Sequence, residues 1–490
     1  MTTLIPKYDQ GATKAINRPI NLKLAESISV KDFGATGDGT TDDTAAVKAA
    51  VNAAAGNSLF FPAGTYIISS GITLPSNTYI YGVENSSILK IAGGISYSAQ
   101  NYSIFEILAG TGYITIENLI FDGNLSNIPN ISSVQNPMHV IFEANENIVF
   151  NNCRFQNIAG ICLNFSTNHT GLYVTNCNFI NCGGATDNSS GYRHQAIAFS
   201  NSTTSGIRST NVQITGNYFS NQGLDCISIK DIDDCVVSNN IAENSYSLLY
   251  NNPYPAYTTN LVVSNNSIYN TNQGTLVNAT PPNAIDLPSV QNCVVIGNTI
   301  NQCNQAGIGI FAYSSNVLVI GNTLLNVVQN PFTWIGAISV GTSTITLPNT
   351  ACNISNVCVQ NNTIIDTNGT HLMSYGVIFQ YDITNLFISY NNIQGTAVGK
   401  YGVYPTISNP GLASVVTVTS NSQLTSSTLI NDLDVVNGIL TNWRKQNTLT
   451  GYYVNGTQVV TSQQAAIPNS ADATVNAILA ALRTHGLIAT

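Results

Sequence analysis

Residues 212–219 read VQITGNYF, and the phrase returns as LVVSNNSI at 261–268, CVVIGNTI at 293–300, VLVIGNTL at 317–324 and VCVQNNTI at 357–364. Looser copies begin at Ile114, Ile148, Leu172, Cys235 and Leu386. Each copy runs through alternating apolar residues into Gly or Asn, usually then Asn, and on into a short apolar strand. Successive starts lie 23 to 40 residues apart. A period in that range signals stacked structural repeats. A solenoid of stacked repeats offers a long side surface rather than one pocket, which biases function towards long polymers.

The sixth position of the phrase holds Asn217, Asn240, Asn266, Asn298, Asn322, Asn362 and Asn391. The residue before it is Gly or Asn in every case except Tyr390. Gly and Asn tolerate the left-handed backbone that a sharp corner needs. Parallel rungs stack about 4.8 Å apart, so equivalent asparagine amides can hydrogen-bond along the axis as a ladder. The competing fold is an antiparallel meander with Gly-Asn hairpins, which would not keep a constant long period.

The bulk numbers agree. The chain has 490 residues, 43% hydrophobic and only 8% charged. That is enough to bury a large core, under a surface of Asn, Ser and Thr. The net charge of −9, with no basic run, argues against nucleic acid and gives no attraction to anionic membranes. No apolar run is long enough to span a bilayer. The opening MTTLIPKYDQGATK has neither a basic start nor an apolar stretch, so no secretion leader is expected.

The ten cysteines form no paired CxxC motif; Cys153 and Cys177 fall at one repeat position, Cys235 and Cys293 at another. That is the pattern of stacked, buried, reduced thiols. A second strand column precedes most copies: Ile197/Phe199, Ile227/Ile229, Ile285/Leu287, Ile308/Ile310, Ile338/Val340 and Val377/Phe379. Alternation turns these inward and sends Ala198, Ser228, Asp286, Gly309, Ser339 and Ile378 outward. The outward stripe reads equally well as a groove floor or as a plain solvated strip.

Ahead of the repeats, residues 1–27 read as an extended segment. Next, SVKDFGATGDGTTDDTAAVKAAVNAAAG carries a Gly-Asp-Gly turn, Asp42 or Asp43 as helix N-cap, and Gly56 as the stop. Val47, Ala50, Val51 and Ala54 lie on one side of this helix. Its expected task is to cover the exposed first rung. Strands LFFPAGTYII and YIYGV follow.

VKDFGATGDGTTDDTAAVKAAV followed by LFFPAGTY resembles the opening of the pectate-lyase-like superfamily, right-handed parallel β-helices common in bacteriophage tailspikes. The stretch before it resembles the virion-attaching head of tailspike and tail-fibre proteins. The resemblance covers roughly the first 85 residues and carries no catalytic group. It implies an all-β, right-handed, single-stranded parallel β-helix over residues 28–410, with a short capping helix. A virion-attachment segment would occupy 1–27, docking on a phage tail or baseplate protein. A small β/helical trimerisation region would occupy 411–490.

In that last region LINDLDVVNGILTNWRK offers a short helical candidate. ADATVNAILAALRTHGLI reads as a helix with Val475, Ile478 and Leu482 on one seam, too short to be stable alone. Association with copies of itself, a homotrimer as in tailspikes, would bury that seam; packing back on its own chain is the alternative.

For chemistry, no serine-nucleophile elbow, phosphate loop or HExxH is present, and no cofactor or metal is expected. GLDCISIKDIDD, 223–234, is the densest charged stretch. It resembles the GDDCIAIK-type motif of polygalacturonases, aligning Asp225, Cys226 and Lys230. Leu224 replaces the first Asp, and no Gly-His-Gly or Arg-Ile-Lys follows, so the match is rung grammar first.

Glycoside hydrolysis needs two carboxylates, about 5.5 Å apart for a covalent intermediate or about 6.5–9.5 Å when water fits between. Asp225, Asp231, Glu243 and Asp286 come from neighbouring rungs and are the catalytic candidates. A lyase would instead use Arg193, His194 and Lys230 as base and cation. Asp231, Asp233 and Asp234 could bind Ca²⁺, though three acids in one turn are usually just solvated.

The loop NSYSLLYNNPYPAYTTN brings Tyr246, Tyr250, Tyr254 and Tyr257, rings suited to sugar faces. Inserts at about 122–147, 183–210, 271–283 and 327–352 are expected groove walls. The reading is a phage spike that binds a host surface glycan and cleaves it through middle-rung carboxylates. The alternatives are a non-catalytic receptor-binding spike of the same fold, and a cellular pectin-active enzyme.

Overall fold

The computed structural model describes residues 7–9, 11, 13–24, 26–94, 103–108, 110–128, 140–142, 146–165, 169–183, 194–199, 208–251, 257–271, 283–328, 336–341, 353–369, 373–379, 383–396 and 399–403, with the strands at 416–419, 433–436, 439–443, 452–454 and 457–460. One rung shows how the chain travels. Strand Ser209–Thr215 turns at Gly216 into Tyr218–Ser220, turns again into Asp225–Ile229, and a third corner leads into Ile232–Ser238 directly beside Ser209–Thr215. Repeated along the chain, this path builds three long sheets of 16, 13 and 12 strands. Rung pairs with rung in parallel register, for example Val212↔Cys235↔Leu261↔Cys293↔Val317. The chain is a right-handed parallel β-helix, and the antiparallel meander is excluded.

The corners follow from the residues placed there. Gly216, Asn239, Asn265, Gly297, Gly321 and Asn361 all have φ between 54° and 68°, and Tyr390 adopts 54° in the same slot. Just past the corner the asparagines stack. Asn217 Nδ2 donates to Asn240 Oδ1 at 3.0 Å, and the bond repeats through Asn266, Asn298, Asn322, Asn362 and Asn391 at 2.9–3.0 Å. Each inner amide is saturated. Asn240 donates to Asn266 Oδ1 and Ile214 O, and accepts from both the backbone N–H and the side chain of Asn217. Saturation is what makes such burial tolerable, because an unpaired amide there would forfeit its hydration.

The interior is one continuous apolar column. Phe121, Phe155, Phe179 and Phe219 stack ring on ring with centroids 4.9 Å apart, matching the rung spacing. The nine described cysteines are free thiols and eight are buried; Cys358 is the partly exposed one.

At the N-terminal end, helix Thr44–Ala53 buries Val47, Ala50 and Val51 in this core, with Ala54 at its C-cap and Gly56 left-handed beyond it. Asp42 accepts from the Thr44 N–H and hydroxyl. Asp43 turns back instead, accepting from Thr36 N at 2.7 Å and Gly37 N at 3.0 Å. The Gly-Asp-Gly turn is thus pinned by a buried carboxylate.

Two expectations change. The first 27 residues are not simply extended: Lys7–Tyr8 pairs antiparallel with Arg18–Pro19, followed by helix Ile20–Leu24. The helical candidate LINDLDVVNGILTNWRK contains two strands, Leu433–Val436 and Ile439–Trp443, paired antiparallel. Its short apolar runs satisfy strand and helix periods alike, and sheet pairing decides. Strand Val416–Thr419 continues the parallel coil beyond residue 410. The proposed helix at 471–488 lies outside the described residues, as does much of the expected groove-wall inserts.

Candidate functional site

The outward column on the 12-stranded sheet is as alternation predicts, with one addition. It reads Ala198–Ser228–Tyr250–Asp286–Gly309–Ser339–Ile378 in register. Tyr250 is therefore not a loop residue: it belongs to strand Ser247–Asn251, and the loop opens only after Asn251. Nor is the column a solvated strip. Ser228 is 3% exposed and Ser339 2%.

Two carboxyls lie near Tyr250: Asp286, which belongs to this column, and Asp225, which pairs in register with Ser247, three residues before Tyr250. Asp225 opens its strand, is 6% exposed, and accepts from Ser247 Oγ of the next rung at 2.6 Å. Asp286 sits one rung further, accepting from Asn283 Nδ2 at 3.1 Å through Oδ2, while its buried Oδ1 has no partner. Two rungs amount to about 9.6 Å of axial rise, and the three-residue offset in register adds about 10 Å along the strands.

Both carboxyls are hard to ionise. Desolvation pushes Asp225 up to about 6, with the Ser247 bond opposing. Desolvation, then the nearby Asp225 charge, pushes Asp286 to about 7, with the Asn283 bond opposing. Tyr250, on the rung between theirs, is raised to about 12 by burial and by both carboxylates. Of the two raised carboxyls, Asp225 is the readier to ionise. Phe311, 4% exposed, walls the C-terminal side; a Cβ on Gly309 would meet its ring at 2.3 Å, so the glycine makes room for it.

The other predicted acids stand apart from this pair. Asp231 is at a left-handed corner (φ 51°), its Oδ1 accepting from Tyr257 N at 3.1 Å. Asp233 pairs with Arg208 at 2.8 Å and accepts from Thr259, and Asp234 accepts from Asn260 Nδ2 at 2.9 Å. The run DIDD thus supports corners and neighbouring rungs. No three-residue His/Cys/Asp/Glu cluster suited to a metal occurs among the described residues. Glu243 lies on the 13-stranded sheet, bonded to the Tyr218 hydroxyl, and not beside Asp225.

Of the lyase trio, the two described members, His194 and Lys230, are not brought together. His194 is 6% exposed and burial lowers its pKa to about 4, a poor base. It belongs to the rung before Asp225, whose backbone carbonyl accepts from Ala196 N. Lys230 follows the far end of strand Asp225–Ile229, so about 16 Å of extended chain separates the two ends. Arg193 and Tyr254 lie outside the described residues. Tyr246, just before strand Ser247–Asn251, and Tyr257, just before strand Thr258–Ser264, are partly buried. Thr258 Oγ1 donates to Asn251 Oδ1 at 2.7 Å, closing the loop's neck. Ser247 and Asn283 were missed from sequence; only the register, which stacks them beside the two acids, gives them away.

A three-sheet parallel coil with this outward column defines a pectate-lyase-like β-helix. The chain belongs to the rhamnogalacturonase A/epimerase, pectate-lyase-like family, whose profile matches residues 27–309, more than half of it. Mannuronan C5-epimerase AlgE3 of Azotobacter vinelandii is 35% identical over 111 residues, 20% of this chain and 6% of that protein. The preneck appendage protein of Bacillus phage PZA is 32% identical over 98 residues, 20% of this chain and 11% of that one. The chain thus spans only a small part of these relatives. Among solved structures, the Dettilon tailspike protein superposes with a TM-score of 0.52 at 14% identity, covering 79% of this chain and 70% of that one. The surface adhesin PfbA of Streptococcus pneumoniae gives 0.50 at 17%, covering 77% and 99%. At these identities the likeness is one of fold.

Proposed function

We propose that the chain is a phage tailspike that binds a bacterial surface polysaccharide and cleaves it as a glycoside hydrolase at Asp225 and Asp286. The observation that carries this reading is the pair of desolvated carboxyls two rungs apart around Tyr250. Asp286, the harder to ionise, is the general acid that protonates the leaving oxygen. Asp225, held by Ser247, is the base. Backbones two rungs and three residues apart set the carboxyls too wide for a covalent intermediate, which leaves the wider arrangement with a water between them and inversion at the anomeric carbon. Tyr250 offers an apolar face with a polar tip to a sugar ring. Residues 1–27 attach the spike to the virion, and 411–490 contribute to a homotrimer without sustaining it alone. Likeness to a phage appendage protein and to polysaccharide-modifying enzymes supports this setting.

Burial of Asp225 at 6% exposure favours a second reading, glycan binding without cleavage. Incubating the full chain with a panel of capsular, O-antigen and exopolysaccharides separates the two. Binding with new reducing ends supports hydrolysis, and binding without them supports the second reading. Unsaturated uronate would mean a lyase, and no binding to any glycan would end both.

A further inference from the structure

The outer face of the 16-stranded sheet carries an apolar stripe that the glycan site leaves unused. Val236, Val262, Val294, Leu318, Cys358 and Phe387 follow one another in register over six rungs. Phe387 is 50% exposed and the others are half-buried, although they point away from the core. Beside them Ile296, 39% exposed, pairs with Ile320. On the other flank an exposed asparagine ladder runs from Asn260 through Asn292, Asn316 and Asn356 to Asn385, at 2.9–3.1 Å. Solvated sheet faces ordinarily place polar residues at such positions, and a long apolar patch marks an interaction surface.

We infer that this face is the contact through which copies of the chain assemble side by side. Three observations select a second copy as the occupant. First, five of the six strands, 258–264, 290–296, 315–320, 355–360 and 384–389, contain no charged residue, while the Val236 strand at the edge of the patch carries Asp233, paired with Arg208, and Asp234. Copies carrying a net charge of −9 repel one another, and over these five rungs they meet without like charges face to face. Second, the ridges recur every rung, about 4.8 Å, and another copy presents the same repeat for interdigitation. Third, the chain's later strands, Val416–Thr419, Ile439–Trp443 and Leu433–Val436, extend this same sheet, so the C-terminal segment departs from the proposed contact. From the strand and rung spacings the face measures about 30 by 20 Å, so a pair buries about 1,200 Å², the lower end of specific interfaces.

The inference supplies the subunit contact for the proposed spike, and its test does not use glycan. Sedimentation velocity of the full chain should show an assembly of two or more copies. Val294→Glu/Leu318→Glu should sediment as one copy with unchanged far-UV circular dichroism. Val262→Glu/Phe387→Glu serves as a second variant should the first misfold. In a Cys352→Ser background, maleimide should label Cys358 about tenfold faster in the separated variant than in the assembled protein. A single-copy wild type, or assembly at full mass in both folded variants, would overturn it. A single-copy protein that still acts on glycan would sink this contact alone and leave the functional reading standing.

Discussion

Asn240 and Asn266, 26 residues apart in sequence, are joined by two bonds to one oxygen: Asn240 N and Nδ2 both reach Asn266 Oδ1, at 2.9 and 3.0 Å. The ladder built from such steps ties each corner to the next. Asn266→Leu would remove the acceptor of both Asn240 donors, take away the side-chain donor to Val237 O, and leave Asn298 Oδ1 with the residue-266 backbone N–H as the remaining one of its two donors. We predict a loss of about 3 kcal/mol in urea unfolding, with the fold retained at low temperature. A change below about 0.5 kcal/mol, the size of an ordinary surface substitution, would contradict the ladder's structural weight.

Phe179 lies between Phe155 and Phe219, 4.9 Å from each. Phe179→Ala should cost about 3–5 kcal/mol, because neighbouring rungs cannot collapse into the gap without breaking register. Calorimetry checks the magnitude. Phe179→Leu should cost clearly less.

His169 is 1% exposed, has no hydrogen-bond partner on either ring nitrogen, and is held by burial at a pKa of about 4. Its ordinary value is 6.5, so between pH 6.5 and 4 the unfolded chain binds the proton that the folded chain refuses. Stability therefore falls as pH drops through that window. His169→Leu should flatten the decline measured by urea midpoints from pH 7 to 4; an unchanged slope would contradict it.

Asp286 works in the opposite sense. Its folded pKa of about 7 exceeds the ordinary 3.8, so the folded chain holds a proton that the unfolded chain has lost between those values. Stability from this group rises as pH falls from 7 towards 3.8, and Asp286→Asn should remove that slope. Carboxyl ¹³C titration should place Asp286 above Asp225; the reverse order would exchange their proposed roles.

The solenoid was legible because its corners and its ladder use the same few letters at a fixed place. The exposed ladder is equally legible. Asn260, Asn292, Asn316, Asn356 and Asn385 each stand one residue before the apolar start, in TNLVV, QNCVV, SNVLV, SNVCV and TNLFI. The acidic run at 231–234 reads as chemistry by its charge density, whereas Asp231 occupies a left-handed corner and Asp234 a left-handed position within its strand. Tyr250 was hidden by its neighbours' Tyr and Pro, which read as loop. Its strand is set by pairing with Ser228 and Asp286, contacts far off in sequence. The separation of acids depends on rung register, which inserts of unequal length conceal.

The central claim is that Asp286 does chemistry on a bound glycan, and it is tested by comparing wild type with Asp286→Asn on a polysaccharide that both bind. The account predicts unchanged binding and a loss of reducing-end release of about 10²-fold or more, the usual contribution of a general acid. Equal release by the two proteins would contradict it.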